Sequence, residues 1–281
     1  MTPSAKMLKS PTEDRLTLRI GVASLLFATL LPSHVTAQTS TRLRSLFNKS
    51  PVDRIVDQLV ENASSFRATL PSITAHETIE SDASDGWLIK RHVKAEATMR
   101  VLRKTPGGPL EESREITVID GKPVKPGKHI DLPTNLLGGF GSLSNFFFTS
   151  TNRHCFNYSL VPRENPDGVL ELQITLSPDA ASLANCPMEW ARFDAVALVN
   201  SESHQLMRLE WSIPNEDAVP FHRWPFASVD LAPVAVGDKT FWLPTTVIGR
   251  SINGKARADW VSHYSDYHRF TAIVNILPAS P

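Results

Sequence analysis

The stretch from Trp260 to Phe270, WVSHYSDYHRF, brings together histidine, aspartate and tyrosine, the residue types that carry out general acid–base chemistry. Asp266 and His268 would serve a hydrolase if their side chains shared a hydrogen bond. On a regular strand, residues two apart share a face with their Cβ atoms roughly 7 Å apart, which is loose for such a pair. We therefore predict a strand and keep a hydrolase using Asp266 and His268 as a minor hypothesis. The strand would present Tyr264, Asp266 and His268 on one face, and His263, Tyr267 and Arg269 on the other.

Other catalytic motifs are incomplete. In HETIE, His76–Glu80, a glutamate stands where the helical zinc motif H-E-x-x-H needs its second histidine. The segment GFGSLSN lacks the spacing of the nucleophile elbow G-x-S-x-G. We predict no catalytic residue, no metal ion and no cofactor.

The chain has two cysteines, Cys155 and Cys186. In an exported protein an even number of cysteines favours a disulfide. A zinc site that includes His154 and a nucleophilic thiol are the alternatives, but structural zinc usually takes four ligands, and this sequence supplies too few. We predict a disulfide.

The N-terminus has the features of a secretory signal peptide. Four basic residues precede the apolar run IGVASLLFATLLP, which is followed by VTA, ending at Ala37. The run is shorter than the roughly 20 residues of a membrane span. We predict that residues 1–37 are removed after Ala37 and that the mature chain acts in the periplasm or is secreted, with no transmembrane segment after cleavage. An uncleaved signal anchor is the alternative.

Charge makes nucleic acid an improbable partner. Removing the four basic and two acidic residues of the leader from the 29 basic and 29 acidic residues of the chain leaves a net charge of about −2. The mature chain has no excess of basic residues and no block of like charges, so it has no positive electrostatic field that would attract the phosphate backbone of a nucleic acid.

One amphipathic helix is predicted at about 51–65, because Ser50 suits an N-cap, Pro51 the first helical turn and Asp53 its positive end. The apolar stripe Val52, Ile55, Val56, Leu59, Val60 and Ala63 has helical spacing.

Downstream of this helix, apolar residues recur at every second position. HVKAEATMRV and VLELQITL alternate strictly, and HQLMRLEWSI places Met207, Leu209 and Trp211 on its inner face. Turn signals separate many such runs. We predict an α+β, mainly β fold: a long curved antiparallel sheet, open as a half-barrel, with an N-terminal helix. Residues 38–281 would form a single β-rich domain.

The segment TNLLGGFGSLSNFFFTS, residues 134–150, departs from this alternation. It is apolar and glycine-rich, and it ends in three phenylalanines. It would either fill the core as a short helix or act as a Gly/Phe-rich helical flap over a cavity.

Five segments resemble a family of uncharacterised exported bacterial proteins: ESREITVIDGKPV, LLGGFGSLSNFF, HCFNYSL with CPMEW, SVDLAPVAVGDKTFWLPTTV, and HYSDYHRFTAIV. That resemblance implies no activity. By architecture alone, an N-terminal helix before a long antiparallel sheet is similar to the LolA-like lipoprotein carriers, whose unclosed barrels hold acyl chains. The likeness implies an open half-barrel, with a lipid or a lipoprotein as the expected partner.

We therefore expect an exported, non-catalytic protein that binds a lipid or a lipoprotein acyl chain in a sheet-lined cavity. The alternative is an envelope protein–protein interaction or sensor module without a cavity, which acts through loops such as NEDAVPFHRWPF. The predicted lining comprises Met99, Val101, Phe140, Leu143, Phe146, Phe147, Phe148, Leu170, Leu172, Met207 and Trp211.

Overall fold

The computed structural model describes residues 49–85, 88–105, 108–125, 130, 146–162, 168–179, 186, 194–212, 223–253 and 256–270. The predicted signal peptide, residues 1–37, lies outside these ranges. The same is true of most of the predicted flap, including Phe140 and Leu143.

Helix α1 spans Pro51–Thr69. Its start agrees with the sequence pattern, because the Ser50 hydroxyl accepts a hydrogen bond from the backbone N–H of Asp53 at 3.1 Å. Its end lies four residues beyond the predicted boundary. There Arg103 donates to the carbonyl oxygens of Arg67 and, at 3.0 Å, of Leu70, which satisfies acceptors that the helix leaves open. The buried stripe faces the sheet and consists of Ile55, Val56, Leu59 and Ala63.

Eleven strands make up a single sheet in the described part of the chain. They are β1 Ile73–Asp85, β2 Leu88–Arg103, β3 Leu110–Ile119, β4 Lys122–Pro123, β5 Phe156–Val161, β6 Val169–Leu176, β7 Asp194–Asn200, β8 Leu206–Ser212, β9 Arg223–Val236, β10 Lys239–Asn253 and β11 Ala256–Arg269.

The strand order is β4-β3-β2-β1-β11-β10-β9-β8-β7-β6-β5, and every neighbouring pair is antiparallel. Two meanders, β1–β4 and β5–β11, are joined where the first strand pairs with the last, with Ser81 opposite Trp260. The sheet does not close, since β4 and β5 lie at its two ends. The predicted mainly β fold with an open antiparallel sheet and one N-terminal helix is confirmed.

One face of the sheet forms the core. Along β2, Val93, Ala95, Ala97, Met99 and Val101 are buried, as the period of two predicts. Register shifts in the pairings β1–β11, β1–β2, β2–β3, β7–β8 and β9–β10 mark bulges, which bend and twist strands. The bent sheet curves around α1, so that residues of β2, β6, β8 and β10 join the helix in one hydrophobic cluster.

The connection from β4 to β5 joins the two end strands of the sheet in the sequence and contains the phenylalanine-rich segment. Its described residues include a 3₁₀ turn, Phe146–Phe148, in which Phe147 and Phe148 are buried in the core. The Tyr158 hydroxyl donates to the carbonyl oxygen of Phe147 at 2.6 Å, and the Asn152 side chain donates to that of Phe146 at 2.9 Å. These two bonds hold the turn beneath α1.

Among the described residues, no helix is both long enough and apolar enough to cross a membrane.

Candidate functional site

A pocket of about 390 Å³ lies between the C-terminal half of α1 and the hairpin formed by β9 and β10. Its volume falls at the lower end of the roughly 300–1,000 Å³ range of small-molecule sites. The lining consists of Leu59, Asn62, Ala63, Ser65, Phe66, Thr69, Phe148, Gln205, Leu206, Leu231, Lys239, Thr240, Phe241 and Trp242.

The pocket lining combines buried apolar residues with polar residues, of which Asn62 and Gln205 are half-buried. Leu59, Ala63, Phe148, Leu206 and Phe241 are buried and apolar, and they form the floor. The exposed lining residues, which mark the mouth, are Ser65, Thr69, Lys239 and Thr240. An amphiphile would therefore place its hydrocarbon inside and its polar group at the opening.

Contacts between elements hold the walls at a fixed separation. The rings of Phe66 on α1 and Phe241 on β10 meet edge to face, with centroids 6.5 Å apart. On the next turn of the helix, the Asn62 side chain donates to the carbonyl oxygen of His204 at 2.8 Å, which ties α1 to the β7–β8 turn. These two contacts connect α1 to β10 and to the β7–β8 turn, on two sides of the pocket.

The predicted lining residues lie mainly in the packed core. Phe148 lines the pocket and belongs to its floor. Five others are buried in the hydrophobic cluster that includes the helix: Met99, Val101, Phe147, Leu172 and Trp211. Two more, Phe146 and Leu170, pack against this cluster. The pocket is thus lined by the helix and a hairpin, and less by the sheet face that the sequence suggested.

Met207 does not occupy the buried position predicted for it. Leu206 and Leu209 are buried, whereas Met207 is half-buried at a register shift, where Leu198 pairs with Arg208 and Val199 pairs with Leu206. A bulge adds one residue to one strand, so the alternation that placed Met207 inside is interrupted there.

The face assignment at the end of β11 was also wrong. Asp266 has a positive φ of 52° at a register shift opposite Thr74 and His76. Beyond that bulge, Tyr267 turns inward, and its hydroxyl donates to the carbonyl oxygen of Pro244.

Asp266 and His268 are both exposed, and Tyr264 is buried. Within the described part of the chain, no hydrogen bond joins Asp266 to His268, and the Asp266 carboxylate instead accepts from Ser265 at 3.2 Å. The geometry gives no support to a catalytic pair at this position. His76–Glu80 lies in strand β1, so it does not form the helix that a zinc protease motif requires.

The predicted disulfide between Cys155 and Cys186 is present, with Cα atoms 5.5 Å apart. His154 lies beside it, with Nε2 at 3.7 Å from Sγ of Cys155 and 3.8 Å from Sγ of Cys186. These three residues form a group of potential metal ligands. The disulfide removes both thiolates, however, and metal binding by cysteine requires thiolate.

The structure also contains a buried ion pair that the sequence analysis missed. Glu77 of β1 is fully buried, and its carboxylate accepts two hydrogen bonds from Arg114 of β3, the longer at 3.1 Å. Glu77 pairs with Ala97 of β2, whereas Arg114 pairs with Met99 two residues further along the same strand, so the ion pair crosses β2 diagonally. The sequence contains one signal for this buried charge: alternation places Glu77 on the same face of β1 as Ile73, Ala75 and Ile79.

The environment of this pair shifts two pKa values. Burial opposes the charge on Arg114, but the Glu77 carboxylate outweighs it and raises the pKa of the guanidinium above its ordinary value. Burial, reinforced by Glu77, also raises the pKa of Tyr264, whose hydroxyl lies 3.5 Å from Arg114. Tyr264 is therefore neutral and Arg114 charged throughout the physiological pH range.

No family model and no curated protein matches this chain. Among solved structures, it is similar to a LolA superfamily protein from Nitrosomonas europaea, with 12% identity over 78% of this chain and 94% of that one and a TM-score of 0.32. A putative outer membrane lipoprotein-sorting protein domain from Vibrio parahaemolyticus has 10% identity over 77% and 93% of the two chains, with a TM-score of 0.40.

A third similar structure is a DUF1329 family protein from Desulfovibrio piger, with 11% identity over 80% of this chain and 96% of that one and a TM-score of 0.37. These values describe a resemblance in architecture, and they transfer no residue roles. The function is therefore argued from the pocket.

Proposed function

We propose that this protein binds an apolar ligand, a lipid or the acyl chain of a lipoprotein, in the pocket between α1 and the β9–β10 hairpin. It would do so without catalysing a reaction, in the periplasm to which its predicted leader directs it. The observation that supports the proposal is a pocket of about 390 Å³ whose lining includes the buried apolar residues Leu59, Ala63, Phe148, Leu206 and Phe241.

The driving force would be removal of hydrocarbon from water, about 0.8 kcal/mol for each methylene group buried. Association loses translational and conformational freedom, which offsets much of that gain. At about −0.5 kcal/mol per non-hydrogen atom, within the range for small ligands, a ligand of some 16 atoms would have a Kd on the order of micromolar.

Trp242 allows occupancy of the pocket to be measured directly, because it is a half-buried lining residue. A fatty acid with a brominated chain should quench part of the tryptophan fluorescence when its tail enters the pocket. Replacing Trp242 with phenylalanine should remove that part of the quenching while the fatty acid still binds. The chain has six tryptophans, so the substitution is needed to assign the signal.

Mass spectrometry of the protein purified from its host provides an independent test. We expect an acyl compound bound at up to one equivalent, which organic extraction removes. Absence of any bound lipid, together with no quenching in the extracted protein, would overturn the proposal. A stoichiometric protein partner recovered without lipid would instead support the envelope interaction module. The loop proposed for that role, residues 215–226, lies mostly outside the described residues.

A further inference from the structure

Lys239 alone carries a charge among the residues that line the pocket in the described part of the chain. It is the first residue of β10 and is exposed at the mouth. No carboxylate in the described ranges pairs with its ammonium group. Asp238, its neighbour in the β9–β10 turn, is not among the lining residues.

Lys239 differs in this respect from several other surface cations. Lys94 forms an ion pair with Glu80 at 2.7 Å, and Lys104 forms one with Glu111 at 2.7 Å. Arg208 and Arg250 likewise contact carboxylates. Lys239 thus is a cation without a carboxylate partner in the described ranges, and it lines a pocket that contains buried apolar residues.

We propose that the pocket selects single-chain amphiphiles with an anionic head group, a carboxylate or a phosphate, which pairs with Lys239 while the chain lies on the apolar floor. This inference rests on the proposed binding function and names the class of ligand. The hydroxyls of Ser65, Thr69 and Thr240 at the same mouth can donate hydrogen bonds to the head-group oxygens. Lys239 would repel a cationic head group, which would find no acidic partner among the described residues of the lining.

The test compares four ligands with the same twelve-carbon chain: dodecanoic acid, dodecyl phosphate, dodecanol and dodecyltrimethylammonium. Each is measured below its micellar concentration, by displacement of a fluorescent fatty acid from the extracted protein. The wild type should bind the two anions about three- to tenfold more tightly than the alcohol, the scale of a partly exposed ion pair, and the cation most weakly. The ratio between acid and phosphate identifies the preferred head group.

Three variants isolate the role of Lys239. Lys239→Gln should bring the affinities for acid and alcohol together and leave that for the alcohol unchanged. Lys239→Arg should preserve the preference because it keeps the charge. Lys122→Gln, on edge strand β4, is the matched control and should behave as the wild type. Because Lys239 is exposed, its replacement should leave the thermal denaturation midpoint unchanged.

The outcomes separate this inference from the proposed function. If the wild type binds none of the four ligands, the binding function itself is contradicted. If it binds acid and alcohol with equal affinity, or if Lys239→Gln retains the preference for the anions, only the selection by Lys239 is contradicted.

Discussion

Glu77 and Arg114 place a pair of full charges on the face of the sheet that forms the core. Glu77 is fully buried, and the Arg114 side chain is 16% exposed. A buried ion pair adds little net stability compared with apolar residues of the same size, but removal of one partner leaves an uncompensated buried charge. The pair therefore makes β1 and β3 dependent on each other across the intervening strand.

Glu77→Gln should lower the free energy of unfolding by about 3 kcal/mol or more, because the Arg114 guanidinium keeps its charge and loses its counterion. The coupling between the two residues is measured by urea denaturation of four proteins. These are the wild type, the single variants Glu77→Gln and Arg114→Met, and the double variant. We expect the double variant to be less destabilised than the sum of the single ones. Additive effects would contradict the account of the pair.

Position 249 on β10 requires glycine because a neighbouring ring leaves no room for a side chain, and not because of its backbone conformation. Gly249 pairs with Trp260 of β11, and the indole ring covers the space that a Cβ at this position would occupy. Gly249→Ala should destabilise the fold by about 1–3 kcal/mol through overpacking.

The variant Trp260→Phe supplies the control for this overpacking, because it removes the indole atoms in question. Alanine at position 249 should destabilise the Trp260→Phe protein clearly less than the wild type, as measured by thermal denaturation. Equal losses in the two backgrounds would mean that the ring does not exclude a side chain from position 249.

At the level of elements, the segment from Phe146 to Cys155 connects the pocket to the disulfide. Phe148 lines the pocket, and Arg153 binds Asp57 of α1 at 3.0 Å and Asp53 at 3.3 Å. The Cys155–Cys186 bond secures the far end of this segment. Reduction is therefore expected to affect both stability and the pocket.

Reduction with dithiothreitol should lower the free energy of unfolding by roughly 3–4 kcal/mol, the amount that the chain-entropy model gives for a loop of this length. It should also weaken binding of the fluorescent fatty acid. The double variant Cys155→Ala/Cys186→Ala should match the reduced protein in both measurements and show no response to dithiothreitol. Full stability after verified reduction would contradict the structural role of the bond.

Strands β10 and β11 share a charge cluster on the outer face that makes stability depend on pH. Burial alone would favour the neutral form of Asp259, but hydrogen bonds from Arg257 at 2.8 Å and Arg250 at 2.7 Å outweigh it and lower the pKa of this carboxyl. The pKa of Asp259 is lower in the folded protein than in the unfolded chain. These ion pairs therefore stabilise the fold at pH values above the ordinary pKa of about 3.9, and this stabilisation is lost as the pH falls through the pKa of the folded state.

Asp259→Asn should therefore be less stable than the wild type near pH 7, by up to about 1 kcal/mol since the cluster is partly exposed. The difference should shrink when the pH is lowered below about 4. Urea denaturation at a series of pH values measures this, with the exposed Asp194→Asn as the control. A difference that stays constant down to pH 2 would exclude the ion pairs as its cause.

For the molecule as a whole, local patterns predicted the elements but not their assembly. Ser50 and Pro51 fixed the start of α1, and strict alternation identified the buried face of β2, because both signals depend on neighbouring residues. The pairing of β1 with β11 depends on residues that are far apart in the sequence, and no local pattern encodes it. Bulges at Met207 and Asp266 also escaped prediction, since nothing in the residue types requires an extra residue there.

The location of the pocket follows from this assembly. Leu59 and Ala63 were identified as part of an apolar helical stripe, and turn signals were identified between the predicted strands. Only the pairing of distant strands brings the β9–β10 turn against the helix. The sequence predicted a cavity lined by the sheet face, whereas the pocket of the structure lies between α1 and the β9–β10 hairpin.

Two adjacent serines on α1 provide the most direct test of this pocket. Ser64 and Ser65 are both exposed, but Ser65 lines the pocket and Ser64 does not. Ser65→Trp should fill the mouth and lower the affinity for a fluorescent fatty acid at least about tenfold, which corresponds to about 1.4 kcal/mol. Ser64→Trp should bind within about twofold of the wild type, and both variants should keep its thermal stability. Equal affinities for the two variants would contradict binding in this pocket.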